Sequence, residues 1–490
     1  MKSALINVCR LPGRAMFAAV LESVNQPKVD RIAEQCASRL IRPVFAIAFF
    51  LILLSPFDVS GQEASVADRV EKAATLIRDN RIEEAERQLN SVLRIRPQDA
   101  AALDLLGTIR AKQGKLDEAE SLFTRAVSID RQLIGAHMNL AYLYLLKGAH
   151  EKTASELREV LRLEPQNADA AYKLAWLLLS QGKMDECINT INEARKSQPP
   201  SAPLLALLGN AYLRKDNLDK AEESYLLSLN QDGTSADAVL GLADVYQRRR
   251  DSNTANLYLV RAKGLIADSP DLLYRFALIA VNSPMGSDAI LALKRAVELK
   301  PKESSYYFAL GVAWLTKPDL QEAEQSFRQS LKLQPDNIRA QTYLGYTLLK
   351  EKSYPEAREW LEKSIQKGTA TPETFYYLGL IAQEQKEDER AVGLFEKSIQ
   401  LSPSFSHPHI ALGSTYLKMK NYPRAQQELE IGAKLNPDDS KAHYNLALLY
   451  ARLNDSKRAQ DEMQIVERLK TNKGATNESD LVNPARPPQR

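Results

Sequence analysis

From residue 66 onward the chain repeats one pattern of apolar and polar positions every thirty-four residues, and the register never slips. Twelve units follow end to end without an insertion, opening at Val66, Ala100, Ile134, Ala168, Ala202, Ala236, Pro270, Ser304, Ile338, Pro372, Ser406 and Ser440. Position 8 is Gly or Ala in all twelve, as in Ala73, Gly107, Gly209, Gly311 and Ala447. Position 20 is Ala in ten, with Thr153 and Cys187 as the exceptions. Position 7 is Leu in ten, and position 24 is large and apolar throughout, as in Phe123, Tyr225, Phe327 and Phe395. Position 27 stays small or β-branched, as in Ala126, Val160, Ala194 and Ser330.

Apolar residues three and four apart predict two amphipathic helices per unit. The small residues twelve apart let those helices approach closely at their crossing, where a bulkier side chain would hold them apart. Pro at position 32 in seven units (Pro97, Pro165, Pro199, Pro301, Pro335, Pro403, Pro437) removes an amide donor and stops the second helix. No unit of this size buries its apolar face alone, so stability comes from stacking on neighbours and from treated ends. Unit one places Lys72 where Leu is usual and Arg69 where an aromatic is usual, a polar cap. Unit twelve ends instead in Met463, Val466 and Leu469, a stripe expected to stay open for a partner or for self-association of two copies.

The run of aromatic, Leu-Gly, Tyr, Ala, aromatic and Pro at fixed offsets resembles the tetratricopeptide repeat family; unit five shows it in Leu208, Gly209, Tyr212, Ala221 and Tyr225. The resemblance covers residues 66 to 473 and implies an all-α fold: a right-handed α-solenoid superhelix of twelve helix-turn-helix repeats whose first helices line a concave groove. In such a groove, positions 5 and 9 of each first helix meet the ligand. Here Tyr142, Tyr172, Trp176, Tyr274, Phe308, Tyr346, Tyr376 and Tyr444 stand at those positions, with Asn210 at position 9 of unit five. They make candidate apolar anchors for a peptide. Trp176 is the sharpest candidate, because position 9 is usually polar in the family. Seven basic residues at position 13 (Arg78, Lys112, Arg214, Arg248, Lys350, Lys418, Arg452) offer a cationic row to an acidic peptide. Two specialised grooves do not fit: a chaperone-tail clamp needs repeated Asn at position 9, where only Asn210 stands, and an asparagine ladder at position 6 finds only Asn139 and Asn445.

Composition changes this picture little. The charge surplus of +3 arises in the first 61 residues, where Lys2, Arg10, Arg14, Lys28, Arg31, Arg39 and Arg42 outnumber Glu22, Asp30, Glu34 and Asp58. The remainder is balanced and offers no field for nucleic acid. The uncharged run Pro43 to Phe57 is too short for a bilayer span and reads as the apolar part of an export leader comprising residues 1–61, with cleavage expected after Val59-Ser60-Gly61. About forty residues precede that run, more than a simple leader carries. The protein is therefore expected in the periplasm or cell envelope, or held at the inner membrane by an uncleaved leader, its only route to a membrane. Residues 474–490 are expected to form a disordered polar tail.

Catalytic, metal and cofactor chemistry find no footing. His137, His150, His407, His409 and His443 lack metal-ligand spacing, His407 and His409 read as surface residues, and Cys187 reads as packing at the helix crossing. No phosphate-binding Gly-rich loop or nucleophile elbow is present. The expectation is a non-catalytic scaffold for a protein or peptide partner. The alternative is a non-catalytic subunit of a polysaccharide-export or glycosyltransferase system.

Overall fold

A computed structural model describes residues 59–197, 199–365 and 371–472. Residues 1–58 of the leader, with the apolar run at 43–57, and the tail at 474–490 lie outside the described residues, whereas Val59, Ser60 and Gly61 of the expected cleavage site open the first helix. Among those described, every regular element is an α-helix, and none is long and apolar enough to cross a membrane.

The chain divides into two bodies at Val245/Tyr246. The first holds the hairpins α1 (Val59–Arg78) with α2 (Ile82–Ile95), α3 (Ala100–Lys112) with α4 (Leu116–Ile129), α5 (Ile134–Leu146) with α6 (His150–Leu163), α7 (Ala168–Ser180) with α8 (Met184–Ser197), and α9 (Ala202–Arg214) with α10 (Leu218–Gln231). The division falls within α11 (Ala236–Arg248). The second body holds α12 (Ser252–Lys263), then α13 (Pro270–Ala280) with α14 (Gly286–Leu299), α15 (Ser304–Thr316) with α16 (Leu320–Leu333), and α17 (Ile338–Lys350) with α18 (Tyr354–Ile365). It closes with α19 (Pro372–Glu384) and α20 (Asp388–Leu401), α21 (Ser406–Lys418) and α22 (Tyr422–Leu435), and α23 (Ser440–Arg452) and α24 (Ser456–Asn472).

From α3 onward, each first helix opens at position 1 of its repeat, and in several a side chain at the end of the preceding unit caps the start. Asp99, Asn167 and Asn337 each accept from the backbone N–H three residues on, at 2.9, 2.9 and 3.1 Å. Each so satisfies one of the amides that a helix start leaves unpaired. Ten of the first helices are followed by a left-handed residue at position 15. Gly114, Gly148 and Gly182 fill it in three units, but Asn80, Asp216, Arg250, Lys352, Lys386, Lys420 and Asn454 adopt the same positive φ elsewhere. The next N–H then reaches back five residues, as from Lys115 to the Arg110 carbonyl at 2.9 Å, closing the helix end.

The hairpin core is a contact between positions 8 and 24. A Cβ added to Gly107, Gly209, Gly311 or Gly379 would lie 2.4–2.6 Å from the ring of Phe123, Tyr225, Phe327 or Phe395, respectively. Every aromatic residue at position 24 thus faces a glycine at position 8. The Ala residues at position 8 face Leu, Ile or Met at position 24. The small residue therefore serves the facing side chain as much as the helix crossing.

The C-terminal stripe differs from expectation. Val466 and Leu469 are buried, leaving Met463 partly open, because α24 turns its apolar side onto α23 within the last hairpin. Tyr444 and Leu448 on α23 are exposed.

Candidate functional site

The first-helix face of the first body carries a continuous series of fixed side chains. On α5, the Tyr142 hydroxyl donates to Asp169 Oδ2 at 3.1 Å. Asp169 also pairs with Lys173, whose ammonium lies 5.0 Å from the centre of the Tyr142 ring. This contact is a cation–π arrangement that orients the ring. Tyr142, Tyr172 and Trp176 are half-buried: each packs one side against the core of units three to five and leaves the other accessible. One turn before Tyr142, Asn139 donates to Asp104 Oδ1 at 2.8 Å and to Thr108 Oγ1 at 3.4 Å. Burial pushes the Asp104 carboxyl up to about 6.

Asn210 has an internal task. Its Oδ1 accepts from the Tyr225 hydroxyl at 2.9 Å, while the Tyr225 ring is fully buried between Gly209 and Gly241. A polar atom at the tip of a buried ring needs a partner, and Asn210 supplies it.

In the second body the aromatic positions are mixed, two of them covered. Phe308 and Tyr346 are each only 7% exposed. Tyr343 meets the Phe308 ring edge-on at 5.4 Å, and Tyr377 lies 4.8 Å from Tyr346, ring centre to ring centre. These two side chains belong to packing between successive units rather than to an open face, because an aromatic neighbour in the next unit covers each. Tyr274 is half-buried, 5.2 Å from Tyr306. Tyr376 is half-buried among Tyr377, Phe395, Phe405 and His407. Tyr444 is exposed at the end of the array.

Part of the basic row at position 13 is engaged within the chain. Lys112 and Arg214 donate to the Ile77 and Leu179 carbonyls in the last turns of the preceding first helices, at 3.4 and 2.6 Å. Lys418 pairs with Asp388 at 2.7 Å.

Sequence reasoning missed the role of the histidines. His137, His409 and His443 all stand at position 4 and are buried, so the surface assignment of His409 is corrected. Each Nδ1 meets a glutamate of its own second helix (Glu156, Glu428, Glu462) at 2.6–2.7 Å. Each Nε2 meets a backbone carbonyl that ends the preceding unit (Arg131, Pro403, Pro437) at 2.9–3.2 Å. Gln341 and Tyr307 reach the equivalent Pro335 and Pro301 carbonyls at 2.8 and 3.2 Å. In these five units position 4 is thus a polar staple between units, and the signal was the recurrence of hydrogen-bonding side chains six residues after position 32 of the preceding unit. Cys187 is fully buried, and burial pushes its thiol up to about 12, which leaves it unreactive.

Tetratricopeptide-repeat profiles match residues 70–133, 145–210, 202–234, 286–338, 321–372 and 410–471. Together with the hairpin geometry, they place the chain in the tetratricopeptide repeat family, as an all-α solenoid whose coarse role is protein interaction. No curated protein matches the sequence. Among solved structures, yeast Tom70 is 15% identical, with 86% of this chain and 98% of that one covered at a TM-score of 0.41. Pseudomonas aeruginosa PilF is 22% identical, with 43% and 96% covered at a TM-score of 0.37. YrrB, described as a TPR protein with an unusual peptide-binding site, is 17% identical, with 37% and 94% covered at a TM-score of 0.30. These likenesses carry no functional assignment.

Proposed function

We propose that the protein is a non-catalytic scaffold that holds an extended segment of a partner protein along the first-helix face of units three to five. The supporting observation is that three such rings stand together on the adjacent helices α5 and α7, where two of the corresponding rings of the second body are covered. Tyr142, Tyr172 and Trp176 are held in place yet half-open, whereas Phe308 and Tyr346 at equivalent positions are closed over by neighbours. Large rings held rigid and half-desolvated lose little entropy on binding and contribute most of the energy in peptide recognition. The apolar run at 43–57, flanked by Arg39, Arg42 and Asp58, supports export, so the partner is sought in the cell envelope.

A photo-activated crosslinking residue at position 176, compared with one at the exposed outer position of Glu193, tests this reading in cells. Adducts from position 176 and none from position 193 support it. Equal adducts from both, or none from 176, overturn it.

A further inference from the structure

Asp104 stands at position 5 of α3 and is half-buried. Its Oδ1 accepts from Asn139, but no described residue donates to Oδ2, and no lysine, arginine or histidine pairs with the carboxyl. Two other acids on first-helix faces, Asp169 and Asp271, are matched. Asp169 has Lys173 and the Tyr142 hydroxyl, and Asp271 has the Tyr306 hydroxyl at 2.8 Å and Lys300 at 3.5 Å.

The opening over Oδ2 is built by a glycine. Gly135 occupies position 2 of the next unit, where Asp169 and Asp271 stand in their own units, and a Cβ added there would lie 3.4 Å from Asp104 Oδ2. A longer side chain would cover the oxygen; hydrogen leaves it reachable. Asn139, itself held by Thr108, positions the carboxyl through Oδ1 and leaves this oxygen for something from outside.

A carboxylate set among helices without a counter-charge is costly, and that cost raises its affinity for a proton, which is the cause of its upward shift. The same environment strengthens a charge-assisted hydrogen bond from a ligand cation. Tyr142 lies one turn beyond Asn139 on the same face of α5, so a segment laid over Tyr142, Tyr172 and Trp176 continues to Asp104.

We infer that Asp104, held by Asn139 and uncovered by Gly135, receives a lysine ammonium or arginine guanidinium of the bound segment, an inference that rests on the peptide-binding reading above. The probe is a random nonapeptide display library selected on the full chain, followed by fluorescence anisotropy with the selected peptide and its norleucine analogue. The wild type should enrich one basic residue at a fixed spacing from apolar residues, and norleucine should cost tenfold or more. Asp104→Asn keeps the acceptor for Asn139, so it folds, and it should abolish the basic preference while keeping the apolar one. Apolar enrichment without a basic residue, or a basic preference unchanged in Asp104→Asn, overturns the assignment of Asp104 alone. No enrichment of any peptide by the wild type overturns both readings.

Discussion

The Tyr225 hydroxyl donates to Asn210 Oδ1 at 2.9 Å, joining the second helix of unit five to a side chain of its first. The pair depends on two glycines. A Cβ at Gly209 would lie 2.5 Å, and one at Gly241 2.2 Å, from Tyr225 ring atoms. Replacing either glycine by alanine forces the ring, and with it the hydroxyl, out of place. Gly209→Ala is expected to destabilise the hairpin by about 1–3 kcal/mol through overpacking. Tyr225→Phe, which keeps the ring, should cost about 1 kcal/mol for the lost hydrogen bond. Hydrogen exchange of the α9 and α10 amides measures both; equal protection in Gly209→Ala and wild type contradicts the account.

The left-handed residue at position 15 gives a second prediction. Lys386 adopts φ +62° between α19 and α20. A side chain in that region costs about 1–2 kcal/mol, part of which glycine recovers at the expense of its greater freedom when unfolded. Lys386→Gly should therefore slow exchange in α19 by a factor corresponding to about 0.5–1 kcal/mol, whereas Gly114→Ala should accelerate it in α3.

These two features also mark where the sequence is legible. The thirty-four-residue register placed the first-helix starts because they follow from apolar spacing and from end-capping Asp and Asn, both local properties. The pairing of glycine at position 8 with an aromatic at position 24 was visible as two separate columns and not as one contact, since their contact requires the crossing geometry. Position 15 hid because lysine, asparagine and arginine carry no general signature of a positive φ. At the candidate site, Tyr172 and Trp176 lie half-open, but the covering of Phe308 by Tyr343 and of Tyr346 by Tyr377 depends on how successive units stack, which position within one unit does not reveal.

His137 makes the stack sensitive to pH. The bond to Glu156, with help from the Arg131 carbonyl, raises its pKa against the opposing effect of burial. Both neighbours are acceptors, so only the imidazolium satisfies both. Its folded pKa exceeds the unfolded value, so the contribution to stability is fully present below about pH 6.5 and is lost as pH rises through the folded pKa. The stability difference between wild type and His137→Gln, followed by exchange in α5 and α6, should be larger at pH 6 than at pH 9. A difference that does not change with pH contradicts the bridge.

Asp104 works in the opposite direction. A carboxyl with a raised folded pKa destabilises the native state above that pKa, and the penalty fades as pH falls through about 6 toward the ordinary carboxyl value of 3.8. Asp104→Asn should therefore stabilise α3 and α5 relative to wild type at pH 8 and confer little advantage at pH 4, as read by exchange at the two pH values. A destabilised variant at pH 8 would show that the carboxylate has a cationic partner within the chain.

The most direct measurement is calorimetric titration of the partner segment captured by crosslinking into the wild type and into Trp176→Ala with Tyr172→Ala. Loss of two aromatic anchors should weaken binding by at least about thirtyfold, the equivalent of roughly 2 kcal/mol, with helical content unchanged. Undiminished affinity in the folded double variant would place the partner elsewhere on the protein.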